Sequence, residues 1–173
     1  ETVIDDKKFS GSFDDATLKL KELMESAVTD RLVADVPLGT FLSGGVDSTV
    51  VSALAARHVD KLNTFSIGYK DESFFDETEF AIAAAKKLNT NHTTFTLTNN
   101  DLYEHLYSML DYLDEPFADS SALAVYILSK ETRKHVTVAL SGDGADELFA
   151  GYNKHAAMLR MTQGGMGSSI IKG

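Results

Sequence analysis

Apolar positions between residues 14 and 34 recur at helical spacing. Leu20, Leu23, Met24 and Ala27 fall on one side of the turn and charged residues on the other. The pattern predicts an amphipathic helix, capped by Ser12 or Asp14 and stopped by Pro37. The period then changes. Residues 38–42, "LGTFL", form a short apolar run of strand length that enters Gly44-Gly45 and continues as a helix-forming stretch over 46–58. The same grammar returns further on, with strands predicted at 61–69, 92–97 and 136–142 and helices at 76–88, 100–113, 119–134 and 145–159. Strands alternating with long helices predict an α/β fold: a mostly parallel sheet covered on both faces, three layers deep, with right-handed crossovers. The last residues, 161–173, are rich in Gly and Ser and are expected to form a loose tail on a single domain.

Composition narrows the function classes. A chain of 173 residues with 43% apolar and 24% charged residues can bury a core of ordinary size. No stretch approaches the ~18 uninterrupted apolar residues of a membrane span, and the first ten residues lack the form of a secretory signal, so a cytoplasmic, non-membrane protein is expected. The absence of cysteine excludes thiolate chemistry, and His58, His92, His105, His135 and His155 lack a metal-ligand spacing. A net charge of −10 argues against nucleic acid as a partner, whereas one local loop can still hold a small anion.

Two Gly turns carry the candidate chemistry. In an open parallel sheet, ligands bind beyond the carboxyl ends of the strands, where strand order reverses. The first turn, Ser43-Gly44-Gly45-Val46-Asp47-Ser48, leads from strand into helix, so free backbone N–H groups and the positive end of the helix dipole converge there. The hydroxyls of Ser43, Ser48 and Thr49 add possible donors to phosphate oxygens. Asp47 is compatible with a phosphate when magnesium bridges the two. The second turn, Ser141-Gly142-Asp143, precedes Asp146 and Glu147, and its acids offer a second carboxylate to the same ion. Neither turn is a Walker loop, since no lysine follows Gly45, and neither completes GxGxxG. Either turn by itself is also what strand-to-helix capping would produce.

The segment "SGGVDS", residues 43–48, resembles the pyrophosphate-binding loop of the PP-loop ATP pyrophosphatases. Four phrases, at residues 31–56, 64–81, 113–130 and 138–155, resemble in order the synthetase domain of glutamine-hydrolysing asparagine synthetases. This resemblance, covering roughly residues 8–160, implies an adenine-nucleotide alpha-hydrolase-like (PP-loop) fold. It also implies a reaction in which ATP adenylates the aspartate side-chain carboxylate, releasing pyrophosphate, and ammonia attacks β-aspartyl-AMP to give asparagine. By resemblance, Ser43, Gly44, Gly45, Asp47 and Ser48 hold pyrophosphate, and Asp47 and Asp146 carry magnesium. Phe41 or Leu42, and Ile67, match adenosine-contacting positions; Ser141 and Gly142 match a second ATP-contacting turn. Asp143 stands where some relatives have a catalytic glutamate. Asp119 and Ser120 fall in a segment expected at the mouth of the site or as a simple N-cap, and Asp76 and Glu77 read as first-turn acids. The family's glutaminase half, with its cysteine, and its further C-terminal helices have no counterpart here, so the chain reads as a fragment with ammonia as nitrogen source and little activity alone. Another PP-loop synthetase, of β-lactam, GMP or NAD type, and a non-catalytic ATP-binding module are the competing readings.

Overall fold

The computed structural model describes residues 9–115, 117–119 and 121–163. Helix α1 (Phe13–Arg31) starts where the sequence allows two caps, and Ser12 is the one used. Its hydroxyl accepts from the Asp15 amide at 3.1 Å, while the Asp15 carboxylate accepts from the Ser12 amide at 2.9 Å. This reciprocal box satisfies two otherwise orphaned donors and holds the Asp15 carboxyl below its ordinary pKa, chiefly through the Ser12 side chain.

The buried stripe of α1 is shorter than its apolar pattern. Met24, Val28 and Leu32 pack with Leu54 and Ala55 of α2 (Val46–Ala55). Leu20 and Leu23, expected on the core face, are 40% and 56% exposed, and Ala27 is exposed as well. The reason is length: α1 has 19 residues and α2 only 10, so the first half of α1 overruns its partner. The other end is pinned, with the Glu25 carboxylate accepting from Arg57 Nη1 at 3.2 Å and lying 2.6 Å from His58 Nε2.

Four parallel strands, β1 (Leu38–Phe41), β2 (Asn63–Tyr69), β3 (Asn91–Leu97) and β4 (Val138–Leu140), lie in the order β3-β2-β1-β4. The chain moves outward from β1 through α2 and α3 (Thr78–Leu88). It returns through α4 (Asn99–Leu110) and α5 (Ala122–Thr132) to add β4 on the far side of β1. Right-handed crossovers in opposite directions put α2 and α3 on one face and α4 and α5 on the other. Strand order therefore reverses between β1 and β4, where the register pairs Thr40 with Leu140.

The two faces differ in chemistry. Toward α2 and α3 the sheet presents small polar residues. Thr40 and Ser52 share a buried hydrogen bond of 2.7 Å, and His92 lies between Thr64 Oγ1 at 2.9 Å and the hydroxyls of Ser66 and Thr94, each at 3.2 Å. The opposite face is aromatic, with Phe65 stacked on Phe95 at 6.1 Å between ring centroids.

Several boundaries depart from the sequence expectation. The helix expected at 145–159 is two helices, α6 (Ala145–Phe149) and α7 (Asn153–Gln163), because Ala150 turns left-handed at φ 56° and Gly151 follows. The helix expected from 76 begins at Thr78 behind a 3-10 turn, Ser73–Phe75. The helix expected from 119 begins at Ala122, after Asp119 has accepted from the Ser121 amide at 2.8 Å. Helix α7 runs through Gln163, into the expected tail; residues 164–173 and Ser120 lie outside the described residues.

Burial lowers the His92 pKa below its ordinary 6.5. The unfolded chain therefore binds the proton more readily, and stability is lost as pH falls through about 6.5 toward the lower folded value, with a slope of at most ~1.4 kcal/mol per pH unit. Urea unfolding at pH 5.5 and 7.5 is expected to show this loss, with the His92 share absent in His92→Gln.

Candidate functional site

Both Gly turns leave the sheet at the switch point. The first follows β1: Leu42 continues the strand, its amide donating to the Phe65 carbonyl at 2.8 Å, and Ser43–Gly45 then turn into α2 with Gly45 as N-cap. The loop is tied to itself. The Ser43 and Ser48 hydroxyls are 2.9 Å apart, the Ser43 amide donates to Ser48 Oγ at 3.2 Å, and the Gly45 amide donates to Ser43 Oγ at 3.2 Å. These bonds shape the loop and leave the first-turn amides of α2, from Val46 to Ser48, without a hydrogen-bond partner among the described residues. Among the described residues, Thr49 Oγ1 is buried without a partner, and Thr49 is not one of those lining the cavity.

Glycine is required at two places here. Gly44 has φ 87°, and a Cβ on it would lie 2.5–2.6 Å from Phe80 and the backbone preceding Ala81, so α3 closes directly over the loop. Gly142, in the turn after β4, has its back against the first turn; a Cβ there would lie 2.7 Å from the Ser48 amide nitrogen and 3.0 Å from the Asp47 carbonyl carbon. The two turns are thus in contact, and their acids share one cavity.

That cavity measures about 640 Å³, within the range of small-ligand sites. One wall is apolar: Phe41, Phe65, Ile67 and Tyr69 from β1 and β2 face Ala124, Val125 and Leu128 of α5. The other wall is the two turns, contributing Ser43, Gly45, Asp47, Ser48, Ser141, Gly142 and Asp143, with Asp146, Glu147 and Tyr152 beyond them. Leu42 lines the same space and is fully buried; Gly44 sits beneath the loop rather than on the cavity surface.

Six carboxylates line the cavity, Asp47, Glu77, Asp119, Asp143, Asp146 and Glu147, without a lysine, arginine or histidine among the described lining residues. Their hydrogen bonding sorts them. Asp119 accepts from the Ser121 amide and hydroxyl, Asp143 accepts from Ser141 Oγ at 2.8 Å, and Glu147 accepts from the Tyr152 hydroxyl at 2.5 Å. Tyr152 is pushed up to about 12, mainly by that bond to Glu147, and the Glu147 carboxyl is held below its ordinary pKa, mainly by Tyr152. The side chains of Asp47, Glu77 and Asp146 accept no hydrogen bond among the described residues.

No group of three or more His, Cys, Asp and Glu residues stands ready to hold a metal by itself among the described residues. Asp47, Glu77 and Asp146 are the free carboxylates of the cavity, and a magnesium ion held together with phosphate oxygens needs only one or two from a protein. Sequence reasoning found both turns. It missed Tyr69 and Tyr152, treated Glu77 as a first-turn acid and left Asp119 between cap and cavity mouth; only the crowding of acids and Tyr152 within ten residues of Asp143 signalled the last wall.

A parallel sheet with glycine turns meeting at its switch point, an apolar slot beside them and helices on both faces defines the class of the α/β PP-loop synthetase fold. The chain agrees in fold with the structure of NMN synthetase from Francisella tularensis, at TM-score 0.52 and 18% identity, over 83% of this chain and 59% of that one. The asparagine synthase family model matches residues 19–167, and the chain belongs to that family. It is 41% identical over 134 residues to a putative asparagine synthetase [glutamine-hydrolyzing] of Mycobacterium tuberculosis, covering 78% of this chain and 20% of the relative. It is 33% identical over 163 residues to asparagine synthetase [glutamine-hydrolyzing] 3 of Bacillus subtilis, covering 86% of this chain and 26% of the relative. The chain therefore spans about a fifth to a quarter of the length of these relatives.

Gly44→Ala combines left-handed strain with backbone collision and is expected to destabilise the fold by about 2 kcal/mol or more. Gly45→Ala, at φ −65° with only Ser43 Oγ nearby at 3.3 Å, is expected to cost less than about 1 kcal/mol. Denaturant melts of the two variants test the contrast.

Proposed function

We propose that this chain carries the ATP-dependent half of asparagine synthesis: adenylation of the aspartate side-chain carboxylate, with release of pyrophosphate, followed by attack of ammonia on β-aspartyl-AMP. The observation that carries the reading is the contact of Gly142 with the Ser48 amide, which gives two acidic glycine turns a single cavity. Membership of the asparagine synthase family supports ATP-dependent amidation as the reaction class.

In this mechanism the adenine ring lies in the slot between Phe41, Leu42 and Ile67 on the sheet side and Val125 and Leu128 of α5. The β- and γ-phosphates meet the amides at the start of α2 and the Ser43–Ser48 loop, where the helix dipole stabilises the charge that grows on the leaving pyrophosphate. Ser141 and Gly142 bound the α-phosphate side. Asp47 and Asp146 are the residues that would hold magnesium, which would supply charge neutralisation to the phosphate oxygens. Asp143, oriented by Ser141, stands beside the reacting carboxylate and is one methylene shorter in reach than the glutamate of some relatives. Ammonia arrives either free or from glutamine through a glutaminase domain, a route supported by the glutamine-hydrolysing names of the relatives. Among the described residues no helix is long and apolar enough to cross a membrane.

Calorimetry with ATP is expected to show binding that requires magnesium and weakens at least tenfold in Asp47→Ala. In the same samples, pyrophosphate release is expected to depend on aspartate rather than glutamate. Tight binding of ATP without any divalent ion, or release indifferent to the carboxylate offered, would overturn the proposal.

A further inference from the structure

Tyr69 and Tyr152 both line the cavity, and their hydroxyls are used differently. Tyr152 donates to Glu147, whereas the Tyr69 hydroxyl has no hydrogen-bond partner among the described residues. Tyr69 stands at the carboxyl end of β2, where the strand runs on past its last pair with β1, Phe41 with Phe65, and stays paired to β3 as far as Tyr69 with Leu97. Side chains alternate along a strand, so Phe65, Ile67 and Tyr69 share the face that borders the slot. The strand end is held from two directions. The Lys70 amide donates to the Leu97 carbonyl at 2.8 Å, and Gly68 lies so close to α3 that a Cβ on it would be 2.6 Å from Thr78 Cγ2.

The surroundings of the Tyr69 hydroxyl are apolar. Every other side chain of the wall that Phe41, Phe65 and Ile67 form with Ala124, Val125 and Leu128 is hydrocarbon. Ser66 also borders the cavity, but its hydroxyl is turned to the opposite face of the sheet, toward His92 and Thr94. Burial alone pushes the Tyr69 phenol above its ordinary 10.0, so the hydroxyl keeps its proton and remains a donor. A buried phenol normally finds its partner within the protein, and here the side left open is the cavity.

We propose that Tyr69 is a specificity-determining residue of the slot, its hydroxyl donating to a ring nitrogen of the bound adenine. This inference rests on the reading above in which the slot holds the base of ATP. A purine entering an apolar slot gives up the water on its ring nitrogens, and an acceptor left bare there carries a cost that hydrocarbon walls do not offset. A fixed donor in the wall restores one such bond, and only for a base that presents an acceptor at that point. A base with a C–H group there gains nothing from the hydroxyl and leaves it unpaired.

The test is calorimetry in the presence of magnesium, with ATP and with three analogues in which N1, N3 or N7 of the base is replaced by C–H. Tyr69→Phe keeps the ring and removes only the hydroxyl. It is expected to bind ATP about fivefold more weakly, the size of one neutral hydrogen bond, and to bind inorganic tripolyphosphate, which has no base, as the parent does. One analogue is expected to lose the same factor in the parent and nothing further in Tyr69→Phe, which identifies the nitrogen engaged. A tyrosine that only packs would weaken all four nucleotides alike. The proposal is overturned if Tyr69→Phe binds ATP as tightly as the parent, if tripolyphosphate weakens together with ATP, or if all three analogues lose further affinity in the variant. The parent by itself also decides, since three analogues that bind as well as ATP overturn the proposal without any variant. A folded parent that binds no ATP overturns both this inference and the reading of the site, whereas ATP binding indifferent to the hydroxyl removes only the role of Tyr69.

Discussion

The contact between Gly142 and the Ser48 amide is the constraint on which the site depends. Strand β4 is short, and its register with β1 ends at the Thr40 and Leu140 pair, so both chains leave the sheet at nearly the same height and must turn within a few residues of each other. Two strand-to-helix turns with side chains at their point of contact would be pushed apart. With hydrogen in place of a side chain at Gly142, the second turn lies against the first, and the acids of α6 line the same cavity as Asp47 of α2. The topology supplies the rest, since a chain that winds outward to β3 and returns beyond β1 leaves a crevice at just this point.

The chemistry of the two sheet faces follows from what each must accommodate. On the α2 and α3 side, helices come close to the strands and to the loop, and the residues are small: Thr40, Ser52, Ser66, Ala81 and Ala85 are buried there. Their hydroxyls would be costly to bury unpaired, and Thr40 with Ser52, and Ser66 with Thr94, satisfy one another. The α5 side carries the bulk, with Phe65 and Phe95 stacked and Ile67 and Phe41 directed to the cavity. One face therefore fixes the loop by proximity and the other leaves a slot by standing off.

Local features of the sequence were legible, and features that depend on a partner's extent were not. Strand, glycine turn and helix occur together within some fifteen residues, so Ser43 to Ser48 and Ser141 to Asp146 could be placed from pattern alone. The capping residue Ser12 was among the two expected for the same reason. The apolar stripe of α1 correctly marked a face, but how much of it is buried depends on the length of α2, which no periodicity in α1 encodes. The break between α6 and α7 falls on Ala150, a good helix former, and only the following Gly151 hinted that the helix would end there. Glu77 and Asp119 occupy positions where capping preferences and cavity lining demand the same residue types, so the sequence could not separate the two uses.

The acidic lining has a kinetic side. Oppositely charged partners usually meet faster as salt is withdrawn, because attraction reaches further than the ~8 Å over which physiological salt screens it. A cavity bordered by six carboxylates, in a chain of net charge −10, reverses that rule for a polyphosphate. On the proposed reading, free nucleotide would approach uphill until the last few ångströms, whereas its neutralised complex with a divalent ion would approach with far less repulsion. Ionic strength would then quicken the encounter, and the rate of capture would measure how much of the nucleotide arrives already paired with a metal.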